Sequence, residues 1–403
     1  MTTPVDTPTR RPPAWEVFVA FLHLGLTSFG GPAAHIGYFR AEFVERRKWL
    51  DDATFTDVLA LCQFLPGPAS SQLGVALGML RSGWAGSVLA WLGFTMPSAV
   101  LLIGFGYGLS SFASLAQSGA VHGLKIVAVA VVAQAVWGMA KSLCPDRPRA
   151  ALAVVSALLT LALPGSFGQI GAMATCAGVG VLALRADGPA PPQQGLPVGS
   201  RLVGAVSLGI FAVLLASLLI AERDGGSPLL SLLEGFFRTG ALVFGGGHVV
   251  LPLLQSVVVP TGAVSNEDFL AGYGAAQAVP GPLFTFAAYL GTVMATPVRG
   301  WAGGLLFLVV IYLPAYLLVV GVLPFWDNLR RRPKVRCAMA GINAGVVGIL
   351  LSAMYDPVWT SAIHSRADFG LALAAFALLL YARISPLAVV LLTAIAGGLL
   401  ACA

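Results

Sequence analysis

The sequence predicts an all-α polytopic membrane protein whose two homologous halves form an inverted repeat with broken or re-entrant helices. Three observations predict it. First, 57% of the 403 residues are hydrophobic and only 10% are charged, where a soluble domain carries roughly 25%. Second, apolar runs of membrane-span length recur from one end of the chain to the other. Third, one phrase occurs twice inside such runs, as Gln63-Phe64-Leu65-Pro66-Gly67-Pro68 and as Gln277-Ala278-Val279-Pro280-Gly281-Pro282. The 48 glycines fit the same class, because small residues let membrane helices approach closely.

Residues 1–13 read as a Pro/Thr-rich cytosolic tail, without the apolar core and cleavage site of a signal peptide. The first repeat, 14–185, holds apolar segments at 15–39, 57–80, 84–109, 121–139, 150–163 and 167–184. A Pro/Gln/Gly-rich cytosolic linker, 186–200, leads to one connecting transmembrane helix at 201–222. The second repeat, 223–403, holds segments at 229–259, 269–295, 301–325, 338–354, 369–380 and 386–401. Six segments, a connector and six more give about 13 hydrophobic segments. The landmarks recur in order: Phe29-Gly30-Gly31 with Phe244-Gly245-Gly246, Gly83-Trp84-Ala85-Gly86 with Gly300-Trp301-Ala302-Gly303, Pro97 with Pro314, Gly123 with Gly341. An odd connector turns the second half upside down relative to the first, an arrangement common among secondary transporters.

Charge supports that topology. With a cytosolic N-terminus and the first two segments of each half as re-entrant hairpins, Arg40, Arg46, Arg47, Lys48, Arg81, Arg330, Arg331, Arg332, Lys334 and Arg336 all fall inside. Arg223, Arg238, Arg299 and Arg366 fall outside or in outer hairpins and Lys125 lies within a span, the asymmetry of the positive-inside rule. Full spans would put Arg40 to Lys48 outside, so hairpins are favoured. Residues 40–57 then form an amphipathic helix at the cytosolic interface, with Phe43, Trp49 and Leu50 toward lipid. The net charge of +6 follows from basic cytosolic loops, and nucleic acid is not expected as a partner.

Proline lacks an amide proton and clashes with the preceding turn, so each Pro-Gly-Pro must break its helix, with Pro66, Pro68, Pro280 and Pro282 as the structural breaks. The second proline of each phrase suits the first position of a new half-helix. The amides of Ala69, Ser70 and Ser71, and of Leu283, Phe284 and Thr285, are then unpaired at a positive helix end, which binds anions. Ser70, Ser71 and Thr285 add hydroxyls; Gln63, Gln277, Gly67 and Gly281 complete the candidate binding sets. A lone Pro-Gly-Pro is most simply a kink. Two matched copies favour a binding site. Gly30 and Gly31, with Gly245 and Gly246, offer either a second amide cradle or helix-packing notches.

Full positive charge near these sites is scarce. Arg238 and Lys125 are the expected charge compensators, with Asn343 in the position opposite Lys125, and snorkelling is the plainer alternative for Arg238. His23, His35 and His248 sit in or beside repeated landmarks, and histidine is the residue type that ordinarily changes charge near neutral pH, which makes them candidates for proton coupling. Each alone is more simply a packing residue. Cys62, Cys144, Cys176, Cys337 and Cys402 show neither CxxC nor Cys/His spacing, so neither a disulfide framework nor a metal site is expected. Walker, zincin and Ser/His/Asp patterns are absent from the sequence, and with them the signs of an enzyme or cofactor site.

Phe29-Gly30-Gly31-Pro32, Gln63 through Pro68, Phe244-Gly245-Gly246-Gly247 and Gln277 through Pro282, in this order, resemble the two-domain type of the chromate ion transporter family. The resemblance covers nearly the whole chain, and His248 stands where the family favours an aromatic residue. It implies an inner-membrane protein that exports chromate using the proton motive force and confers chromate resistance. Sulfate is the isosteric competitor for the cargo, protons are the implied coupling ion, and a homodimer is left open. A passive anion channel and a membrane-embedded enzyme acting on a lipid-linked phosphate are the alternatives.

Overall fold

A computed structural model describes residues 13–29, 31–111, 119–163, 166–185, 200–223, 227–244, 247–382 and 384–402. Among these residues the fold is helical, without a strand. α1 (Ala14–Thr27) ends at Ser28, and α2 (Gly31–Arg40) follows. α3 (Asp52–Phe64) is capped by Asp51, whose carboxylate accepts the Thr54 amide, and it ends at the first Pro-Gly-Pro. α4 (Ala69–Ser111) begins after that phrase and bends at Gly83, whose φ of 64° lies in the left-handed region.

α5 (Gly119–Leu143), α6 (Arg147–Ala162) and α7 (Ser166–Ala183) complete the first half, and α8 (Arg201–Arg223) connects it to the second. There α9 (Pro228–Leu242) stops at Val243, and α10 (Val250–Val258) resumes beyond it. α11 (Asn266–Ala278) leads into the second Pro-Gly-Pro, α12 (Phe286–Val293) leaves it, and α13 (Gly300–Val322) starts at a glycine with φ 67°. α14 (Pro333–Ala353), α15 (Arg366–Leu380) and α16 (Pro386–Cys402) close the chain.

The expected segments at 15–39, 57–80, 229–259 and 269–295 are therefore each split in two. Among the described residues, five helices are long and apolar enough to cross a membrane: Ala69–Leu109, Gly119–Leu143, Arg201–Leu218, Gly300–Phe325 and Pro333–Ala362. Shorter apolar helices include Ala14–Thr27 and Pro386–Leu399.

Packing is reciprocal between the halves. α1 lies along α4 and α9 along α13, whereas α6 and α7 pack on α14, and α15 and α16 pack on α5. The matched glycines mark these exchanges, Gly123 against Thr393 and Gly341 against Cys176, each so close that a Cβ would collide with backbone. A buried ion pair between Asp57 of α3 and Arg330, joined by the Trp326 indole at 3.3 Å, adds a further tie between the halves.

Residues 40–57 depart from expectation. They form a π-helical turn at Ala41–Arg46 and a bend at Lys48, where φ is 50°. Phe43 is fully buried against Phe21 at 4.8 Å and Trp49 at 4.6 Å, so it faces the protein core and not lipid. Arg81 lies over the Trp49 ring at 5.0 Å. Aromatic clustering with α1, which no local periodicity reveals, overrides the amphipathic pattern.

Candidate functional site

Both Pro-Gly-Pro phrases make the same turn. Gly67 has φ 126° and Gly281 φ 95°, angles that glycine alone adopts without strain. Each turn aims its amide into the opposite half: Gly67 N–H donates to the Val243 carbonyl at 2.6 Å, and Gly281 N–H to the Ser28 carbonyl at 2.9 Å. Ser28 and Val243 are matched positions, each one residue before a Phe-Gly-Gly phrase. Every proline break is thus stitched to the glycine break of the other half. Gly67 and Gly281, placed in the candidate binding sets, spend their amides on this scaffold. Space is tight as well, because a Cβ on Gly67 would lie 2.8 Å from Ala315 Cβ and one on Gly281 3.0 Å from Ser98 Oγ.

At the first break α4 begins at once. The Gln72 amide is bonded to the Pro68 carbonyl at 2.9 Å, and the amides of Ala69, Ser70 and Ser71 have no carbonyl one turn before them. His35, buried on α2, joins this end to the glycine break: Nε2 is 3.2 Å from the Ser28 carbonyl and Nδ1 is 3.4 Å from Ser70 Oγ. A carbonyl only accepts, so the neutral ring donates from Nε2 and takes the Ser70 proton at Nδ1. Gln72 Nε2 donates to the Pro66 carbonyl at 2.7 Å, bracing the turn.

Around it lie Ser71 Oγ, Gln72 Oε1, Trp91 Nε1, Thr95 Oγ1 and the Tyr312 hydroxyl, all buried and, among the described residues, without a hydrogen bond of full geometry. The Tyr312 hydroxyl lies beside those of Ser71 and Thr95. Its ring sits edge-on to Trp91 at 5.6 Å and 5.7 Å from Phe284 of the second break. Thr95 and Tyr312 are matched residues, each two positions before the matched Pro97 and Pro314. A cavity of about 180 Å³ with a mostly apolar wall, lined by Ser71, Gln72, Val88, Trp91, Val309, Tyr312 and Tyr316 among others, adjoins them.

The second break opens differently. Leu283–Thr285 form a tight 3₁₀ turn in which the Thr285 amide and hydroxyl both donate to the Pro282 carbonyl, at 3.1 and 2.7 Å. Thr285 is therefore not the free donor expected from sequence. Gly31, Gln134, His248, Gln277, Gly281 and Leu283 line a polar cavity of about 50 Å³ here. Gln277 Nε2 is buried without a partner, and His248 Nδ1 is 2.9 Å from the Tyr273 hydroxyl.

Neither expected cation stands free. Arg238 grips Glu234 through Nε at 2.7 Å and Nη2 at 3.1 Å, and Glu234 is only 1% exposed. Lys125 pairs with Glu267 at 3.3 Å, near the start of α11 and about 15 Å along that helix from Gln277. Gln63 is exposed, unlike Gln277, and His23 is exposed on α1. Asn343 keeps a buried Oδ1 without a partner on α14, beside the Gly341 packing contact. Gly30, Gly245 and Gly246 lie outside the described residues. Thr95, Trp91, Tyr312 and Gln134 were missed by the motif search, although each is a polar group within an apolar span.

The sequence model of the family described as chromate transporter matches residues 15–182 and again 230–398. The chain belongs to the chromate transporter family. A chromate transport protein of Pseudomonas aeruginosa is 28% identical over 346 residues, 85% of this chain and 80% of the relative. One from Cupriavidus metallidurans is 27% identical over 343 residues, 84% of this chain and 81% of its own length. An uncharacterized transporter of Methanocaldococcus jannaschii is 26% identical over 401 residues, spanning 96% and 95% of the two chains. No solved structure matches the chain. Family membership and the long apolar helices together make it a multi-pass membrane transport protein and not an enzyme.

Proposed function

We propose that this chain is a secondary active transporter that exports chromate across the inner membrane, with a cytosolic N-terminus and inverted halves. The observation that carries the reading is the reciprocal pair of amide bonds, Gly67 to Val243 and Gly281 to Ser28. Through them, discontinuous helices from both halves meet, and corresponding broken helices are where such transporters bind their cargo. The oxyanion rests at the half-helix ends, where unpaired amides and the helix dipole favour negative charge. The relatives named as chromate transport proteins favour chromate as that anion. Sulfate competes, because amides and hydroxyls recognise charge and shape.

The electrical gradient helps, since each negative charge leaving an inside-negative cell releases ~2.3 kcal/mol per 100 mV. Proton coupling falls to His35: protonation turns Nδ1 from acceptor to donor toward Ser70, whose hydroxyl must rotate to accept, so the proton reverses the link between the Ser28 break and α4. His248, hydrogen-bonded to Tyr273 at the second cavity, is the other candidate.

Proteoliposomes containing the purified chain, with labelled chromate and imposed pH and potential gradients, test this. Uphill movement that an uncoupler abolishes and sulfate inhibits is expected. Flux that only runs downhill indicates a channel, and absence of flux ends the transport reading.

A further inference from the structure

We infer that the seat of the oxyanion is asymmetric: it lies at the first break alone, formed by the Ser71 and Thr95 hydroxyls and the Trp91 indole of the first half together with the Tyr312 hydroxyl of the second. The inference rests on the transport reading and assigns which groups touch the cargo.

The half-helix end does not carry it alone. Ser71 is 4% exposed, Thr95 0% and Tyr312 4%; their hydroxyls lie within reach of one another, yet among the described residues none closes a hydrogen bond of full geometry. Buried polar groups are nearly always paired, and leaving one unpaired is costly, so a cluster of them in one place indicates that an absent ligand completes them. The remaining member fixes the cluster in place: Gln72 uses its amide N–H on the Pro66 carbonyl and turns only Oε1 toward acceptor duty. Three rotatable hydroxyls and an indole N–H can each turn a proton toward one ligand. Such donors suit a ligand made of acceptors on several sides, which a tetrahedral oxyanion is.

Position supports the same choice. Thr95 and Tyr312 are duplicates of one another, and their hydroxyls meet where the two halves do. Ser71 is on the opening turn of α4, whose unpaired amides add partial positive charge. The duplicate of Ser71 is Thr285, and it is closed onto Pro282. Hence the second break cannot offer the same set. Trp91 and Phe284 clamp the Tyr312 ring from two sides, which holds its hydroxyl in place before the ligand arrives.

Equilibrium binding of labelled chromate to the purified full chain in lipid nanodiscs tests the assignment, with proteoliposome flux measured on the same preparations. Tyr312→Phe and Thr95→Val keep shape and remove only the hydroxyl. Each is expected to weaken chromate binding by about tenfold or more, as for a hydrogen bond to a charged group. Each is also expected to leave the ligand-free protein at least as stable as the parent, because an unpaired buried group has been deleted. Tyr316→Phe is the control: Tyr316 lines the same cavity, but its hydroxyl is already paired with Ser87 at 2.6 Å, so binding is expected to hold.

Unchanged binding in folded Tyr312→Phe and Thr95→Val, with flux intact in the parent, overturns the seat and leaves the transport reading standing. Marked destabilisation of both ligand-free variants overturns it too, since the hydroxyls would then be structural. A parent that neither binds nor moves chromate defeats the transport reading instead.

Discussion

The two Pro-Gly-Pro breaks share a phrase, a backbone turn and a reciprocal amide bond, yet they differ in the backbone just beyond the second proline. After Pro68 a long helix starts directly, and polar side chains around its first turn are left unpaired. After Pro282 a 3₁₀ turn intervenes, and Thr285 folds its hydroxyl back on the turn. Duplication thus conserves the scaffold, while the residues at the start of each new helix decide which copy can hold a ligand. The neighbouring charges differ as well: the helix entering the first break is tied by the buried Asp57–Arg330 pair, and the one entering the second by a mostly buried Lys125 paired with an exposed Glu267.

The strongest way to break the shared part of the comparison is to add a methyl group at either turn. Gly67→Ala and Gly281→Ala combine a positive φ with a close neighbour, and each is expected to cost roughly 2–4 kcal/mol and to abolish chromate flux. Thermal unfolding in detergent, together with vesicle flux, reads both effects. Nearly as large is Asp57→Asn, which leaves Arg330 buried without its carboxylate and is expected to cost about 3 kcal/mol, measured in the same unfolding assay.

The differing part is sharpened by a matched pair of substitutions. Thr285→Ala loses a satisfied hydrogen bond, so stability should fall by about 1 kcal/mol while chromate binding persists. Ser71→Ala should do the reverse, weakening binding severalfold with no loss of stability. The smallest effect is expected from Lys125→Ala, because its partner Glu267 has a side chain 75% exposed and such pairs contribute about 0–1 kcal/mol. Chromate binding that changes by tenfold in this variant would restore Lys125 to the site.

Much of the scaffold was legible in the sequence. Proline chemistry places both breaks, and the segment starts expected at 84 and 301 fall beside the turns at Gly83 and Gly300. The pairing of Arg238 was also written in the sequence: Glu234 stands four residues before it, the spacing at which a helix pairs them. Phe43 was not legible as a core residue, because its partners Phe21 and Trp49 reach it through tertiary packing. The exchange of Gly67 and Gly281 amides between halves was equally hidden, since motif spacing carries no information about which break faces which. Tyr312 and Thr95 lay within reach of the sequence reading, as polar residues at matched distances before matched prolines. That signal asks about polarity within an apolar span, and a search for charge passes over it.

The most direct test of the account is a diffraction map of the full chain with chromate bound, collected at the chromium absorption edge. The account predicts one anomalous peak within hydrogen-bonding reach of Ser71 Oγ and the Tyr312 hydroxyl, beside the first Pro-Gly-Pro; a peak confined to the second cavity near Gln277, or to the exposed arginines around Arg40 and Arg46, contradicts it.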